Sequence, residues 1–324
     1  MLAKIKDLFY FPVAHYFRFF AKIRLKRWSP RILVITGSNG KTTLFQLLES
    51  QIKEQAKFSY HANSSFGIPF DILDLHRKTL LRTEWLSLFL RAPIQAFKPS
   101  PKQKIYIVEA DADRPHEGKF LSEFLAPEVV LWISVSKTHS INFDPLVKST
   151  PPPLHKGGTE GGGFVTVEDA IAHEYGTFLE YAKKFAVING DLPLELAQID
   201  RTRAKVKIIK KDRDLEKYQV NKEGTEFVIE KQKYHFSALL PEEIFYAISM
   251  CKEAVEYFDL PFNPSFTHFQ MPPGRGAIFQ GIKDTTIIDS TYNANLSSMQ
   301  VTLRMFEKLP VKKKWAIIGD MLEQ

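Results

Sequence analysis

The apolar run Ile32-Leu33-Val34-Ile35 breaks into Thr36-Gly37-Ser38-Asn39-Gly40-Lys41-Thr42-Thr43, after which Leu44, Leu47 and Leu48 recur at helical spacing. The order is strand, glycine-containing loop, helix, and it limits what the segment can do. Such a loop aims backbone N–H groups at whatever lies beyond a helix N-terminus, where the dipole also favours negative charge. Gly37, Ser38, Asn39 and Gly40 would supply the loop. Lys41 would reach the β- and γ-phosphates of a nucleotide, Thr42 would offer its hydroxyl to Mg²⁺, and Thr43 would complete the turn. The commoner loop of this kind has a glycine five residues before Gly40, where this chain has Ile35.

The stretch from Arg31 to about Asn189 alternates strand-like and helical runs. Strands are expected at Ile32–Ile35, Ile105–Val108, Val129–Val135 and Phe185–Ile188. Helices are expected at Thr42–Gln55, Glu84–Ala92, Gly118–Phe124 and Val167–Lys183. This alternation predicts an α/β fold, a parallel sheet flanked by helices, with ligands at the carboxyl ends of the strands. Lys205 to Phe236 reads as short strands (Val206–Ile209, Thr225–Ile229, Tyr234–Phe236), and Pro241–Phe258 as a helix with Ile244, Ile248, Cys251 and Val255 on one side. Beyond Pro272 a new pattern begins, with a strand at Thr285–Ile288, a helix at Ser297–Leu309 and a strand at Trp315–Ile318. Residues 149–163 are rich in Pro and Gly without apolar periodicity and are expected to form a flexible insertion.

At 324 residues the chain exceeds the usual size of one core, so a second domain is expected. Three parts follow: residues 1–30, residues 31–270, and residues 271–324. A single cysteine, Cys251, excludes an intrachain disulfide and fits a reducing, cytoplasmic setting. The net charge of +7 is spread along the chain without a nucleic-acid-binding motif, so no nucleic-acid partner is expected. Residues 1–28 mix bulky apolar residues with Lys4, Lys6, Arg18, Lys22, Arg24, Lys26 and Arg27. They are too charged for a membrane span and lack a signal-peptide cleavage site. Two readings stay open: an amphipathic helix on the inner membrane surface, or a helix packed onto the following domain.

Ile105–Val108 leads into Glu109, then Asp111 and Asp113. A carboxylate at a strand's carboxyl end beside a phosphate loop is placed to hold Mg²⁺, directly or through water. The next strand leads to Thr138-His139, which puts His139 at the same edge.

Taken in order, these pieces resemble the Mur ligases, in particular the branch that joins D-alanyl-D-alanine to a UDP-muramoyl tripeptide. The resemblance rests on Thr36–Thr43, Asn63–Phe70, Val108–Pro115, Thr138-His139, Ala186–Pro193, Pro273–Gly276, Ile288–Met299 and Ile318–Glu323. It implies a P-loop central Mur ligase domain followed by the start of a Rossmann-like C-terminal ligase domain. The implied activity is ATP-dependent amide-bond formation on peptidoglycan precursors. ATP would phosphorylate a carboxylate of a UDP-muramoyl peptide or related acceptor, and an amino acid or dipeptide would attack the acyl phosphate. Carried over residue by residue, Lys41 holds the ATP phosphates, Thr42 and Glu109 bind a first Mg²⁺, and His139 helps bind a second. Arg275 approaches the phosphates, Asp289 meets the ribose, and Tyr292 and Asn293 line the nucleotide cleft.

The chain departs from the family in four places. Residues 1–30 are not expected to supply the UDP-gripping domain that precedes the family's phosphate loop, and the last unit is expected to be partial, so a partner chain completing it is one expectation. The lysine that many members carbamylate is replaced by a helix reading Ile171-Ala172-His173-Glu174-Tyr175-Gly176, in which Glu174 is the expected substitute metal ligand. Leu240-Pro241-Glu242-Glu243-Ile244-Phe245 stands where the family has a His and an Asn near adenine. Two other functions stay open: a catalytically idle nucleotide-binding protein, and a basic P-loop NTPase at a membrane or nucleic acid.

Overall fold

The computed structural model describes residues 2–79, 81, 83–137, 140–147, 164–271, 273–283, 285–292 and 294–321. Helix α1 (Leu2–Trp28) leads into strand β1 (Arg31–Thr36) and helix α2 (Lys41–Ile52). Then come β2 (Ala56–Phe58), α3 (Gly67–Leu73), α4 (Glu84–Ala96), β3 (Ile105–Ala110), α5 (Glu117–Leu125) and β4 (Val129–Trp132). The first domain continues with α6 (Val167–Glu180), β5 (Phe185–Asn189), α7 (Pro193–Leu196) and β6 (Lys205–Ile209). After α8 (Lys211–Asp214) a small meander follows, made of β7 (Leu215–Asn221), β8 (Gly224–Ile229) and β9 (Gln232–Phe236), and then α9 (Ile244–Tyr257). The last unit holds β10 (Ala277–Gln280), β11 (Thr286–Asp289) and α10 (Leu296–Lys308).

The main sheet has the order β2-β3-β1-β4-β5-β6, with every neighbouring pair parallel. Its inner strands are apolar on both faces because both are covered, as parallel sheets require. On one side Val34, Tyr106, Val108, Val130, Trp132 and Ile188 pack against α1, α3, α4, α5 and α6. On the other, Leu33, Ile35, Ile107, Leu131 and Val187 meet α2, α9 and the meander. Strand order reverses at β1, whose neighbours are β3 and β4, so the loop after Thr36 opens at the topological switch point.

Helix α1 packs onto the domain that follows it. Ala14, Phe17, Ala21, Leu25 and Trp28 are buried in the core, the Tyr16 hydroxyl donates to the Phe89 carbonyl at 2.8 Å, and Trp28 Nε1 donates to the Gln103 carbonyl at 2.7 Å. Its main apolar face is therefore part of the domain.

Several boundaries differ from expectation for identifiable reasons. β4 stops at Trp132 because Ser134 bonds the phosphate loop instead of continuing the ladder, its carbonyl accepting from Ser38 N–H at 3.0 Å. The run at Val206–Ile209 belongs to the parallel sheet as edge strand β6, where alternation with Lys205 and Lys207 reflects one half-exposed face. The expected strand at Trp315–Ile318 is not one: it pairs with no strand among the described residues, and Ile317 is fully exposed. A strand without a ladder leaves its backbone groups to water and gains nothing from being extended. β10 and β11 form an antiparallel hairpin, and α10 joins the rest through Met305 and Leu309 against Val220 and Leu239. The insertion at 149–163 lies outside the described residues; Val147 and Phe164, on either side, form an isolated bridge.

Two outcomes test this packing. Phe17 is fully buried with Phe70, Phe89 and Trp85 around it, so Phe17→Ala costs about 3–5 kcal/mol in chemical denaturation. Glu195 is fully buried. One of its oxygens accepts from Asn189 N–H at 3.0 Å, the other has no hydrogen-bond partner, and burial pushes its carboxyl well above the usual range. The folded state therefore holds this proton more tightly than the unfolded chain. Its contribution to stability is complete below the ordinary carboxyl range and is lost as pH rises through the folded value. Glu195→Gln keeps the acceptor without the charge, so it raises Tm at pH 8 and flattens the pH dependence measured by thermal unfolding.

Candidate functional site

The carboxyl ends of β1, β3 and β4 converge because the parallel register sets Ile35 beside Glu109 and Thr36 beside Trp132. At Gly37 (φ 128°) the chain turns so tightly that a Cβ would lie 2.6 Å from the Ser134 carbonyl oxygen, which only glycine avoids. Gly40 (φ 83°) is the N-cap of α2 and makes no side-chain cap, so the first amides of α2 have no side-chain acceptor there. Ser38, Asn39, Gly40, Lys41, Thr42 and Thr43 all line a cavity of about 480 Å³, a size suited to a nucleotide.

Lys41 opens α2, and its ammonium is buried. It lies 2.6 Å from Asp111 Oδ1 and donates to the carbonyls of Gly37 and Ser38. Burial is the largest single influence and favours losing this proton, but Asp111, Tyr175 and Glu109 together outweigh it and the ammonium is held well above its ordinary value. Asp111 is fixed in turn by Asn63, whose side-chain amide donates to it and whose carbonyl accepts from Asp111 N–H at 2.8 Å. Thr42 Oγ1 lies 3.2 Å from both oxygens of Glu109. Burial raises the Glu109 carboxyl, with Lys41 and Arg275 opposing and Asp111 reinforcing that shift.

A hydroxyl and two carboxylates are hard oxygen donors of the kind Mg²⁺ takes, so these residues fit that ion. No group of three or more His, Cys, Asp or Glu able to hold a metal occurs among the described residues. Thr42 and Glu109 would thus hold Mg²⁺ jointly with phosphate oxygens, the usual mode for this ion.

The last unit reaches the same place. Asn39 Nδ2 donates to Ser136 Oγ at 2.8 Å and to Ser297 Oγ at 2.7 Å, while Asn295 Nδ2 donates to Asn39 Oδ1 at 2.8 Å. Asn295 is also the N-cap of α10, with a reciprocal capping box to Ser298. Arg275 and Tyr292 line the cavity together, the guanidinium 4.7 Å from the ring centroid. Leu192, Leu239, Tyr246, Ala247 and Met271 line it as well, with Asn189.

Some expected site residues are placed elsewhere. Asp289 does not line the cavity; its Oδ1 accepts from Thr291 N–H at 3.1 Å and from Thr291 Oγ1 at 2.7 Å. Glu174, the expected substitute metal ligand, caps the start of α5. Its two oxygens accept from the amides of His116 (2.8 Å) and Gly118 (3.1 Å) at the start of α5. One residue further along α6, Tyr175 lines the cavity instead. His139 and Asn293 lie outside the described residues. Residues to which the motif reading gave no role are Asp111, Ser134, Ser136, Asn295 and Ser297. Only Asp111 carried a usable signal, its two-residue spacing from Glu109 at a strand end placing both on one side.

No family profile matches the sequence. Solved structures do match. MurF ligase from Thermotoga maritima in complex with ADP superposes with a TM-score of 0.70 at 18% identity, over 92% of this chain and 62% of that one. MurF from Acinetobacter baumannii gives 0.64 at 15%, over 89% of this chain and 56% of that one. An FPGS–AMPPCP–folate complex gives 0.56 at 14%, over 90% and 74%. This chain thus spans between 56% and 62% of the length of these two MurF structures.

Removing the ammonium should weaken Mg-ATP binding by roughly tenfold to a hundredfold in Lys41→Ala, the range for losing a charged hydrogen-bonding partner. Glu109→Gln should spare metal-free nucleotide binding and weaken only its enhancement by Mg²⁺. Titrations with a fluorescent ATP analogue, with and without Mg²⁺, separate the two effects. At 14–18% identity the likeness is one of architecture, and the chain has the fold of the Mur-type ligases.

Proposed function

We propose that this chain is an ATP-dependent ligase that forms an amide bond through an acyl phosphate. The observation that carries the reading is the cluster of buried Lys41 and Asp111 with half-buried Thr42 and Glu109 at a phosphate loop, inside a fold shared with MurF. ATP is the nucleotide, in keeping with the ADP and AMPPCP complexes among the structures it resembles. Thr42 and Glu109 would hold Mg²⁺, which would supply charge neutralisation on the phosphates.

The residues divide the work. The amides of Gly40 to Thr43 and the Lys41 ammonium hold the triphosphate and neutralise charge on the transferred group. Arg275, stacked on Tyr292, supplies a second cation from the last unit. A carboxylate oxygen of the acceptor attacks the γ-phosphorus, ADP leaves, and an acyl phosphate results. The amine then attacks the acyl carbon, the tetrahedral adduct expels inorganic phosphate, and the amide remains. Positioning of the two substrates contributes much of the acceleration in such a sequence. The acceptor is a peptidoglycan precursor of the UDP-muramoyl peptide type and the amine an amino acid or dipeptide, as the MurF likeness suggests.

The test is phosphate release from ATP by the purified chain. Release that requires both a UDP-muramoyl peptide and D-alanyl-D-alanine, and falls at least about a hundredfold in Lys41→Ala, supports the proposal. Release indifferent to both substrates contradicts it and indicates a simple NTPase. Tight ATP binding without turnover under any of these conditions indicates an idle binding protein.

A further inference from the structure

Helix α4 is apolar on both sides. Leu88, Ala92 and Ala96 are buried against the domain, with Trp85 and Phe89 packed beside them. On its outward side Leu86, Leu90, Ile94 and Phe97 follow one another at spacings of four, four and three, each 64–67% exposed, and Leu81 precedes them at 65%. A surface helix ordinarily carries polar residues there, and a continuous apolar stripe marks an interaction site.

What the stripe fits is told by its surroundings. Helix α1 lies alongside α4, tied by Tyr16 to Phe89 and by Arg27 to the carbonyls of Ala96 (2.9 Å) and Lys98 (3.3 Å). Its outward side shows Phe19, 61% exposed, with Lys22, Lys26 and Arg27. The Arg27 guanidinium sits 5.7 Å from the Phe97 ring centroid, at the end of the α4 stripe. Residues 1–28 contain seven Lys or Arg and one acid, and residues 75–104 again seven and one. Taking these fourteen bases and two acids from the chain's 44 and 37 leaves 30 against 35, so the remainder is net negative. The net positive charge of the sequence thus lies in the two segments that carry the α4 stripe and Phe19. The one acid of the second segment, Glu84, is engaged by the amides of Lys78 and Thr79.

From this juxtaposition we infer that α4 and the outward side of α1 form a platform that seats the protein on an anionic lipid surface. The leucines, Ile94 and Phe97 enter the headgroup–acyl boundary while the lysines and arginines stay among the headgroups. Two weak signals, apolar insertion and basic attraction, together give stable but reversible contact. No described helix is long and apolar enough to cross a membrane, so the contact is interfacial. A second copy of the chain is a poorer occupant, because a two-fold interface would bring the two basic rims face to face.

Vesicle co-sedimentation of the full chain tests this, without nucleotide, so the result is independent of the ligase reading. Vesicles of phosphatidylcholine alone are compared with vesicles containing about one-third phosphatidylglycerol, an anionic fraction on which a basic patch acts strongly. The expected result is binding to the anionic vesicles, weakened about tenfold or more by added salt and by Leu90→Glu with Ile94→Glu. Lys22→Glu with Lys26→Glu weakens binding to anionic vesicles alone. Both positions are on the surface, and circular dichroism checks that the variants fold. Absence of wild-type binding to anionic vesicles, or binding unchanged by the α4 substitutions, overturns the inference. So does a lipid-free dimer in sedimentation velocity that Leu90→Glu dissociates, which would make the stripe a protein interface.

Discussion

The site depends on a buried ion pair, Lys41 with Asp111 at 2.6 Å. An ammonium so enclosed is tolerable only with a countercharge and acceptors around it, and it has both. The lysine comes from the first turn of α2 after β1 and the aspartate from just beyond β3, so the pair fastens two neighbouring strand ends at the point where sheet order reverses. The loop carbonyls of Gly37 and Ser38 share the same ammonium. A bound polyphosphate would offer that ammonium stronger acceptors than these carbonyls, and the loop holds the lysine where phosphate oxygens can compete for it.

Around that pair, each layer has one positioning task. The strands set register, Gly37 lets the loop touch Ser134, and Ser134 in turn ends β4 early. Asn39 connects the loop outward to Ser297 and Asn295 at the start of α10. The last unit therefore meets the phosphate loop through side-chain hydrogen bonds rather than through a shared apolar core, a contact that can be remade when a nucleotide enters. Met305 and Leu309, with Ile288, Phe306 and Val311 beside them, give it a small apolar footing on Val220 and Leu239.

Much of this was legible in the residues because it is local. The phosphate loop, the flanking strand and helix, and the strand-end carboxylate all sit within short, periodic segments. What escaped depends on partners distant in sequence. Lys205–Ile209 alternates like a meander strand, yet it is the edge of the main sheet, where one face stays wet. Trp315–Ile318 has the composition of a buried strand but no described strand to pair with. Glu174 looked like a metal carboxylate by type and position, whereas the nearby start of α5 consumes both of its oxygens. The outward stripe of α4 was hidden for a simpler reason: apolar residues on both sides of a helix read as core until packing shows which side is covered.

The most direct test is calorimetric titration of the intact chain with Mg-ATP, repeated on Asp111→Asn. The account predicts one saturable site per chain in the parent. It also predicts a measurably altered affinity in the variant, because the lysine's countercharge is part of the exchange. No heat of binding in the parent under conditions where it is folded would contradict the central claim, whatever the fold resembles.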